Sequence, residues 1–344
     1  MLTPQAEAFI LEHAGEPHSV VKVAGDASFR SYYRLFAPAG RFILMDAPPV
    51  KENSQPFIDI TQFLDRHGIP VPRLFAWNLE SGHALLEDFG DLTFSKALEA
   101  GEEADRMYRR AVETLLEIQA TPRDGSCIAH RRPFDRKMLR TEMSLLTDWF
   151  IEGIRRTPIP PEDRLRFDRA FGGLLDLCLA QPDLFVHRDY HSRNLMWHGE
   201  GLVGVLDYQD AVMGPITYDL ASLLRDCYVA WDAPFRRRMM EYWLEGASRR
   251  LGYVPESWEA FERDFDGMSI QRNLKAVGIF GRLSLRDGKH GYLNDIPRTM
   301  GYVRENLARY PELAELRELL EHYIPAGAEI PPDAGAKRGG GAAG

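Results

Sequence analysis

One polar stretch in the second half of the chain limits the possible folds more than any other feature. It runs from His187 to Asn194, follows the apolar run 184–186, and precedes two more apolar runs joined by a glycine-bracketed turn at 199–201. Such a turn between two short apolar runs predicts a β-hairpin. Because a hairpin that starts at Asn194 brings its second strand back beside its origin, we expect Asp207 to lie next to Asn194.

The spacing of this stretch, H-x-D-x-x-x-x-N followed by a hairpin and an aspartate, is the catalytic arrangement of kinases. Phosphoryl transfer needs a carboxylate that accepts the hydrogen bond of the acceptor hydroxyl, and oxygen ligands that hold Mg²⁺ on the β- and γ-phosphates. We therefore predict that Asp189 is catalytic and contacts the acceptor, and that Asn194 and Asp207 bind Mg²⁺ and ATP. A polar turn at a strand end is the alternative for the motif alone. His187 is expected to be structural.

The distribution of apolar residues divides the chain into a β-rich first part and a helical second part. Strands are predicted at 20–23, 29–36, 41–45, 74–77 and 84–87, with one helix at 56–67. We predict an α+β fold, with a β-rich nucleotide-binding lobe over 1–90 and a larger helical lobe for catalysis and acceptor binding over 91–325. Residues 326–344 are rich in proline, glycine and alanine, which predicts a disordered tail.

The composition excludes several classes of protein. Lys and Arg total 42 against 51 for Asp and Glu, which argues against nucleic-acid binding. No apolar run approaches the roughly eighteen residues of a membrane span, and the N-terminus lacks the pattern of an export signal. The three cysteines are far apart, so we expect buried reduced thiols rather than a disulfide framework or a zinc site. We expect a cytoplasmic monomer without membrane or nucleic-acid partners.

Several motifs together resemble the aminoglycoside phosphotransferase and choline kinase superfamily over residues 18–300. They are the stretch 187–194, in which His191 fits the family's HxDxHxxN loop, Leu206-Asp207, the Gly-Pro-x-x-Tyr-Asp-Leu-Ala run at 214–221, and the hinge-like segment 85–91. The resemblance implies a bilobal protein-kinase-like fold with ATP between the lobes. It also implies that adenine lies against the backbone near Glu87 and Phe89, and that Asp219 braces the catalytic loop.

The sequence departs from the kinase pattern at the third strand. Kinases place a lysine there, paired with a helix glutamate, to hold the α- and β-phosphates. The strand 41–46 contains no lysine, and the loop before the second strand, 25–30, has only one glycine, which is a weak signal for phosphate binding. We predict that Ala27, Ser28 and Arg30 contact the nucleotide. Either Arg30 or Lys51 could replace the missing cation, and a solvated strand arginine is the alternative for Arg30.

The segment 269–290 is expected to line the acceptor side if the family layout holds. Its basic residues outnumber its acidic ones. Aminoglycosides and choline are cations whose sites favour carboxylates or aromatic cages, so a basic segment is better suited to a neutral or anionic acceptor. A solvated helix face is the alternative explanation of these charges.

Three further segments, 44–49, 207–211 and 291–297, are similar to one branch of the superfamily, the anomeric N-acetylmuramate/N-acetylglucosamine kinases of bacterial cell-wall recycling. This resemblance implies ATP-dependent phosphorylation of the C1 hydroxyl, which feeds UDP-sugar synthesis. N-acetylmuramate carries a lactyl carboxylate that an arginine would bind. The candidates are Arg193, Arg225, Arg272 and Arg282. Asp210 is expected to bind a sugar hydroxyl, with an ordinary turn carboxylate as the alternative.

Two other functions remain open at this stage. A kinase of another small hydroxylated metabolite, of the aminoglycoside or choline type, would keep the same catalytic residues. A nucleotide-binding pseudokinase is suggested by the absent lysine. The presence of Asp189, Asn194 and Asp207 together argues against the pseudokinase, because a scaffold has no need of all three.

Overall fold

Five strands near the N-terminus form one antiparallel sheet in the computed structural model, which describes residues 2–23, 29–199 and 201–331. The strands are β1 (Ser19–Val23), β2 (Ser31–Ala37), β3 (Gly40–Asp46), β4 (Leu74–Asn78) and β5 (His83–Glu87). Their order in the sheet is β1-β2-β3-β5-β4. All five predicted strands are therefore confirmed, with ends that differ by at most a few residues.

The β4–β5 turn contacts the chain directly after β3. Gly82 lies in this turn with a φ of 76°, a left-handed conformation that glycine adopts without strain. Its carbonyl accepts a hydrogen bond from the Ala47 amide at 2.9 Å, directly after β3. A Cβ atom at Gly82 would lie 2.0 Å from the Ala47 carbonyl oxygen, so a side chain there would force the two segments apart.

A helix that the sequence analysis did not predict covers one face of this sheet. Helix α1 (Pro4–Ala14) begins at Thr3, whose hydroxyl accepts the Ala6 amide at 3.1 Å, and Pro4 occupies the first helical turn. Both are typical start signals. The apolar side of α1 packs on buried sheet residues, among them Leu35, Leu44 and Leu85. The described part of the first ninety residues thus contains two helices, the second being α2 (Gln55–Arg66) at the predicted position.

The rest of the described chain is mainly helical. The helices are α3 (Phe94–Glu99), α4 (Ala104–Gln119), α5 (Arg136–Leu145), a π-helix (Leu146–Ile154), α6 (Pro161–Leu179), α7 (Tyr218–Leu224), α8 (Ala233–Leu251), α9 (Trp258–Asp287), α10 (Ile296–Leu307) and α11 (Ala314–Tyr323), with 3₁₀ turns at Ile128–Arg131, His290–Asp295 and Pro311–Leu313. Four short strands interrupt them, β6 (Asp183–Val186), β7 (Leu195–Trp197), β8 (Val203–Val205) and β9 (Val212–Pro215). The predicted α+β fold class is confirmed.

The chain folds as two compact units, each built from separate segments. Unit one comprises Met1–Pro133, Leu184–Met213 and Pro234–Val254, and unit two comprises Phe134–Asp183, Gly214–Ala233 and Pro255–Gly344. Within unit two, α9 is buried along most of its length and packs on α5, α7, α10 and the π-helix. The predicted lobe boundary at residue 90 stays a prediction.

The described chain continues in ordered contacts past the predicted start of the tail at 326. Glu329 pairs with Arg304 at 2.6 Å, and Arg155 donates to the carbonyl of Glu329 at 2.7 Å. Residues 332–344 lie outside the described residues, so disorder there stays a prediction.

Two predictions drawn from composition can be compared with the structure. The cysteines Cys127, Cys178 and Cys227 are all buried and unbridged, as predicted. Across the described residues, none of the helices combines the length and apolar composition that crossing a membrane requires.

Candidate active site

The predicted hairpin brings together the three residues expected to carry the chemistry. Strands β7 and β8 pair antiparallel, and the Leu206 amide donates to the Asn194 carbonyl at 2.9 Å where the hairpin closes. The Asn194 Nδ2 atom donates to the main-chain carbonyl of Asp189 at 3.0 Å and to Asp207 Oδ2 at 3.3 Å. One amide group therefore joins the loop of Asp189 to the carboxylate of Asp207.

His187 connects the Asp189 loop with the end of the β7–β8 hairpin. Its ring is fully buried, Nδ1 accepts the Asp189 amide at 3.2 Å, and Nε2 donates to the Leu206 carbonyl at 2.9 Å. Burial lowers the pKa of His187 to about 4, so the ring is neutral at physiological pH. The geometry agrees with the structural role expected for His187, because both ring nitrogens are used to connect the segments that carry Asp189 and Asp207.

Two non-glycine residues of this site have left-handed backbone conformations. Arg188 has a φ of 79° and Asp207 a φ of 67°. Each such conformation costs about 1–3 kcal/mol and persists only where the surroundings enforce it. At Asp207, the side-chain Nε2 of Gln209 donates to Oδ1 at 2.8 Å, while Asn194 donates to the other carboxylate oxygen. The backbone strain therefore lies at Arg188, next to Asp189 in the loop, and at Asp207 itself.

The carboxylates of Asp189 and Asp207 carry the same charge and repel each other. Loss of hydration first, and the charge of Asp189 second, raise the pKa of Asp207 to about 6, although solvent still reaches its side chain. The charge of Arg30 acts in the opposite direction and lowers this pKa. A cation at the carboxylates would relieve the repulsion between them.

The donor set fits Mg²⁺, which binds oxygen ligands and usually keeps substrate phosphates and water in its shell. Because Asn194 uses Nδ2 toward Asp189 and Asp207, its Oδ1 atom remains for the metal, beside the Asp207 carboxylate. Within residues 2–23, 29–199 and 201–331, no group of three His, Cys, Asp or Glu side chains could hold a metal ion. Mg²⁺ bound by two protein oxygens usually completes its shell with substrate phosphate oxygens and water.

Asp207→Asn is expected to raise the melting temperature of the metal-free protein at pH 7.5. A carboxyl group whose pKa is raised in the folded state, from 3.8 to about 6, destabilises the fold when it is ionised. The stabilisation by asparagine should therefore be present above about pH 6 and disappear as the pH falls toward the unfolded value. Thermal melts in EDTA between pH 4 and 7.5 measure this. A variant that melts below the wild type at pH 7.5 would contradict the assignment.

Apart from the predicted metal ligands, three of the five residues predicted to bind the nucleotide belong to the described part of the chain. Ala27 and Ser28 lie outside the described residues. Arg30 is 7% exposed and faces Glu52 at 3.7 Å. Glu87 accepts the Arg73 amide at 3.3 Å, and the Phe89 ring packs edge-on against His198 at 4.8 Å.

The predicted acceptor residues are divided between the two units. Arg193 and Asp210 belong to unit one and are exposed, and the Asp210 carbonyl accepts Arg188 at 3.4 Å. Arg225, Arg272 and Arg282 belong to unit two. There, the buried Arg225 pairs with Asp266 at 3.2 Å and with Glu305 at 3.1 Å, and Arg272 lies 3.8 Å from Cys227 Sγ. Burial lowers the pKa of Arg282. The acceptor roles of all five residues stay predictions.

Four residues that contact the site were not assigned from the sequence. Glu52 pairs with Arg30, Gln209 donates to Asp207, and Phe57 stacks on Tyr208, which follows Asp207 in the chain. Tyr208 and Gln209 directly follow Asp207, which is the signal that could have indicated them. Glu52 and Phe57 are distant in sequence, and no local pattern connects them with the catalytic loop.

Fold and site define a phosphotransferase, and comparison with known proteins agrees. The model of the phosphotransferase enzyme family matches residues 19–253, and the chain belongs to this family. It is 39% identical over 326 residues to the N-acetylmuramate/N-acetylglucosamine kinase of Pseudomonas aeruginosa, covering 94% of each chain. The protein of the same name from Pseudomonas putida is 39% identical over 311 residues, covering 90% of this chain and 89% of the relative.

A solved structure shows the same fold at much lower sequence identity. The choline kinase from Streptococcus pneumoniae superposes with a TM-score of 0.60 at 14% identity, covering 88% of this chain and 98% of the other. The predicted membership of the superfamily and the protein-kinase-like fold are both confirmed.

Proposed function

We propose that this chain is an ATP-dependent kinase that phosphorylates the C1 hydroxyl of N-acetylmuramate, N-acetylglucosamine or both. The observation that carries the proposal is the Asn194 amide, which bridges the Asp189 loop and the Asp207 carboxylate. The acceptor is suggested by the names of the two Pseudomonas relatives.

In this proposal, the Asp189 carboxylate accepts the hydrogen bond of the C1 hydroxyl. It thereby orients the hydroxyl oxygen toward the γ-phosphorus. In a loose transition state the proton leaves late, so a weakly basic carboxylate suffices, and an anomeric hydroxyl is more acidic than an ordinary alcohol. Asn194 Oδ1 and Asp207 would hold Mg²⁺, which would supply charge neutralisation at the phosphates of the nucleotide. The neutral His187 keeps the Asp189 loop in register with Asp207 throughout.

The remaining predicted residues are assigned to the two substrates. Arg30 and the backbone near Glu87 and Phe89 would contact ATP, and Asp210 a sugar hydroxyl. The lactyl carboxylate would bind one of the arginines Arg193, Arg225, Arg272 and Arg282. We further propose that the enzyme is a cytoplasmic monomer acting in peptidoglycan recycling, a setting that the buried, unbridged cysteines support.

The proposal is tested by incubating the purified protein with Mg²⁺-ATP and each candidate acceptor, followed by ³¹P NMR of the products. We expect a phosphate on C1 of at least one N-acetyl amino sugar. The matched control is the 1-O-methyl glycoside of N-acetylglucosamine, which lacks the anomeric hydroxyl and should remain unmodified. Phosphate at another position, or transfer only to aminoglycosides or choline, would overturn the assignment. An absence of Mg²⁺-dependent transfer to every acceptor would instead support the pseudokinase.

A further inference from the structure

The third strand offers no cation for the nucleotide phosphates, as its sequence indicated. Met45, near the end of β3, is 1% exposed and its apolar side chain carries no charge. Arg41, the one basic residue of β3, pairs with Asp88 at 2.7 Å, and Asp88 also binds Arg34 at 2.6 Å. The charge of Arg41 is therefore committed to the hinge-like segment that follows β5, and another residue must supply the phosphate contact.

Arg30 stands directly before β2 and has a carboxylate partner outside the sheet. Its guanidinium lies 3.7 Å from Glu52 Oε2. Glu52 belongs to the segment that leads into α2, and its Oε1 atom accepts the Phe29 amide at 3.1 Å. One carboxylate thus binds both the main chain before Arg30 and its side chain. Kinases use a comparable pair, a strand lysine and a helix glutamate, to place a cation on the phosphates.

Two aromatic rings connect Arg30 with the catalytic segment. The Arg30 guanidinium lies 5.9 Å from the centroid of the Phe57 ring, within the range of a cation–π contact. Phe57 in turn stacks on Tyr208, with centroids 5.5 Å apart and planes 11° from parallel. Tyr208 directly follows Asp207, and its hydroxyl is 2.8 Å from Thr61 Oγ1 on α2. The position of Arg30 is thereby linked to that of Asp207.

Lys51, the other candidate, lacks these features. Its side chain is exposed, and its ammonium group lies 5.2 Å from the ring of Phe29, itself 64% exposed. An arginine also suits the role chemically, because its planar fork can bind two phosphate oxygens at once and is more weakly hydrated than an ammonium group.

We propose that Arg30, paired with Glu52 and supported by the Phe57–Tyr208 stack, binds the nucleotide phosphates in place of the missing strand lysine. Glu52 and Phe57 act as positioning residues for Arg30. This inference rests on the proposed kinase function. It narrows the proposed ATP contact of Arg30 to the phosphates and adds positioning roles for Glu52 and Phe57, which the kinase proposal does not use.

The first experiment separates phosphate recognition from general damage to the protein. ADP and adenosine affinities are measured by calorimetric titration for the wild type, Arg30→Ala and Arg30→Lys. We expect Arg30→Ala to lose about 10- to 100-fold in ADP affinity, the size of a charge-assisted contact, while adenosine affinity is unchanged. Arg30→Lys keeps the charge and should recover part of the loss. The matched control is Arg66→Ala, which removes an exposed arginine bonded only to its own turn of α2 in the described structure.

The second experiment concerns the positioning residues. Glu52→Gln and Phe57→Leu should raise the KM for ATP more than they lower kcat, and should leave the KM for the acceptor unchanged. A purely structural role would change both KM values together.

Two results would overturn the inference. One is wild-type ADP affinity in Arg30→Ala, and the other is a loss of ADP affinity in Lys51→Ala instead. If the wild type still phosphorylates an amino sugar at C1 in either case, the proposed function stands and only the role of Arg30 fails.

Discussion

Asp189→Ala is expected to lower kcat for sugar phosphorylation by about 10²- to 10⁴-fold, which corresponds to about 2.7–5.4 kcal/mol of barrier. The variant loses the carboxylate that we propose orients the acceptor hydroxyl. It keeps the main-chain carbonyl of residue 189, to which Asn194 donates, and it keeps the His187 contact with the amide of the same residue. The loop and the metal ligands should therefore remain in place.

Nucleotide binding provides the internal check on this prediction. The affinity for Mg²⁺-ATP should be largely retained in Asp189→Ala, because Asn194, Asp207 and the nucleotide-side residues are untouched. A suitable control is Asp183→Ala, which removes an exposed carboxylate from the start of the strand that leads into the loop. Rates from a coupled ADP-release assay and titrations with a non-hydrolysable ATP analogue measure the two properties. Near-normal turnover in Asp189→Ala would exclude Asp189 as the residue that orients the hydroxyl.

Much of the catalytic segment could be predicted because its information is local. Asp189, Asn194 and Asp207 lie within nineteen positions, and the turn between β7 and β8 determines how the last two meet. Hairpin geometry depends on turn residues and on the alternation of short apolar strands, both of which are visible in the sequence. The strands of the N-terminal sheet were predictable for the same reason.

The contacts that support the site were not predictable, because they join distant parts of the chain. Phe57 and Tyr208 are separated by about 150 positions, and Thr61 reaches the same tyrosine from α2. Apolar periodicity indicated that this helix has a buried face, but not which residue covers it. Helix α1 is a different case. Thr3 and Pro4 are recognisable helix start signals, so this helix was predictable from the sequence.

The π-helix that packs against α9 was also not predicted from the sequence. The π-helix Leu146–Ile154 continues directly from α5, and no pattern of residues marked the change in helical pitch. Gly278 of α9 lies against this junction. A Cβ atom there would be 2.4 Å from the carbonyl carbon of Leu145 and 2.5 Å from the amide nitrogen of Leu146. Both are main-chain atoms, so no side-chain rotation can relieve the overlap.

Gly278→Ala is therefore expected to destabilise the protein in spite of the better helix propensity of alanine. Overpacking costs typically 1–3 kcal/mol and sometimes more, and contact with main-chain atoms favours the upper end of that range, whereas the propensity gain is about 1 kcal/mol. We expect a net loss of about 2 kcal/mol. For a chain of 344 residues this corresponds to a fall in Tm of about 3 °C, measured by calorimetry.

Gly173→Ala in α6 is the matched control, because Gly173 is exposed and a Cβ atom there would meet no other atom within 4 Å. It changes the same residue type within a helix of the same unit, and only the propensity term should remain, so its Tm should rise. A rise in both variants would mean that α9 and the π-helix junction are farther apart than the structure has them. A fall in Gly278→Ala alone isolates the close approach of the two helices as the cause, since propensity acts in the opposite direction.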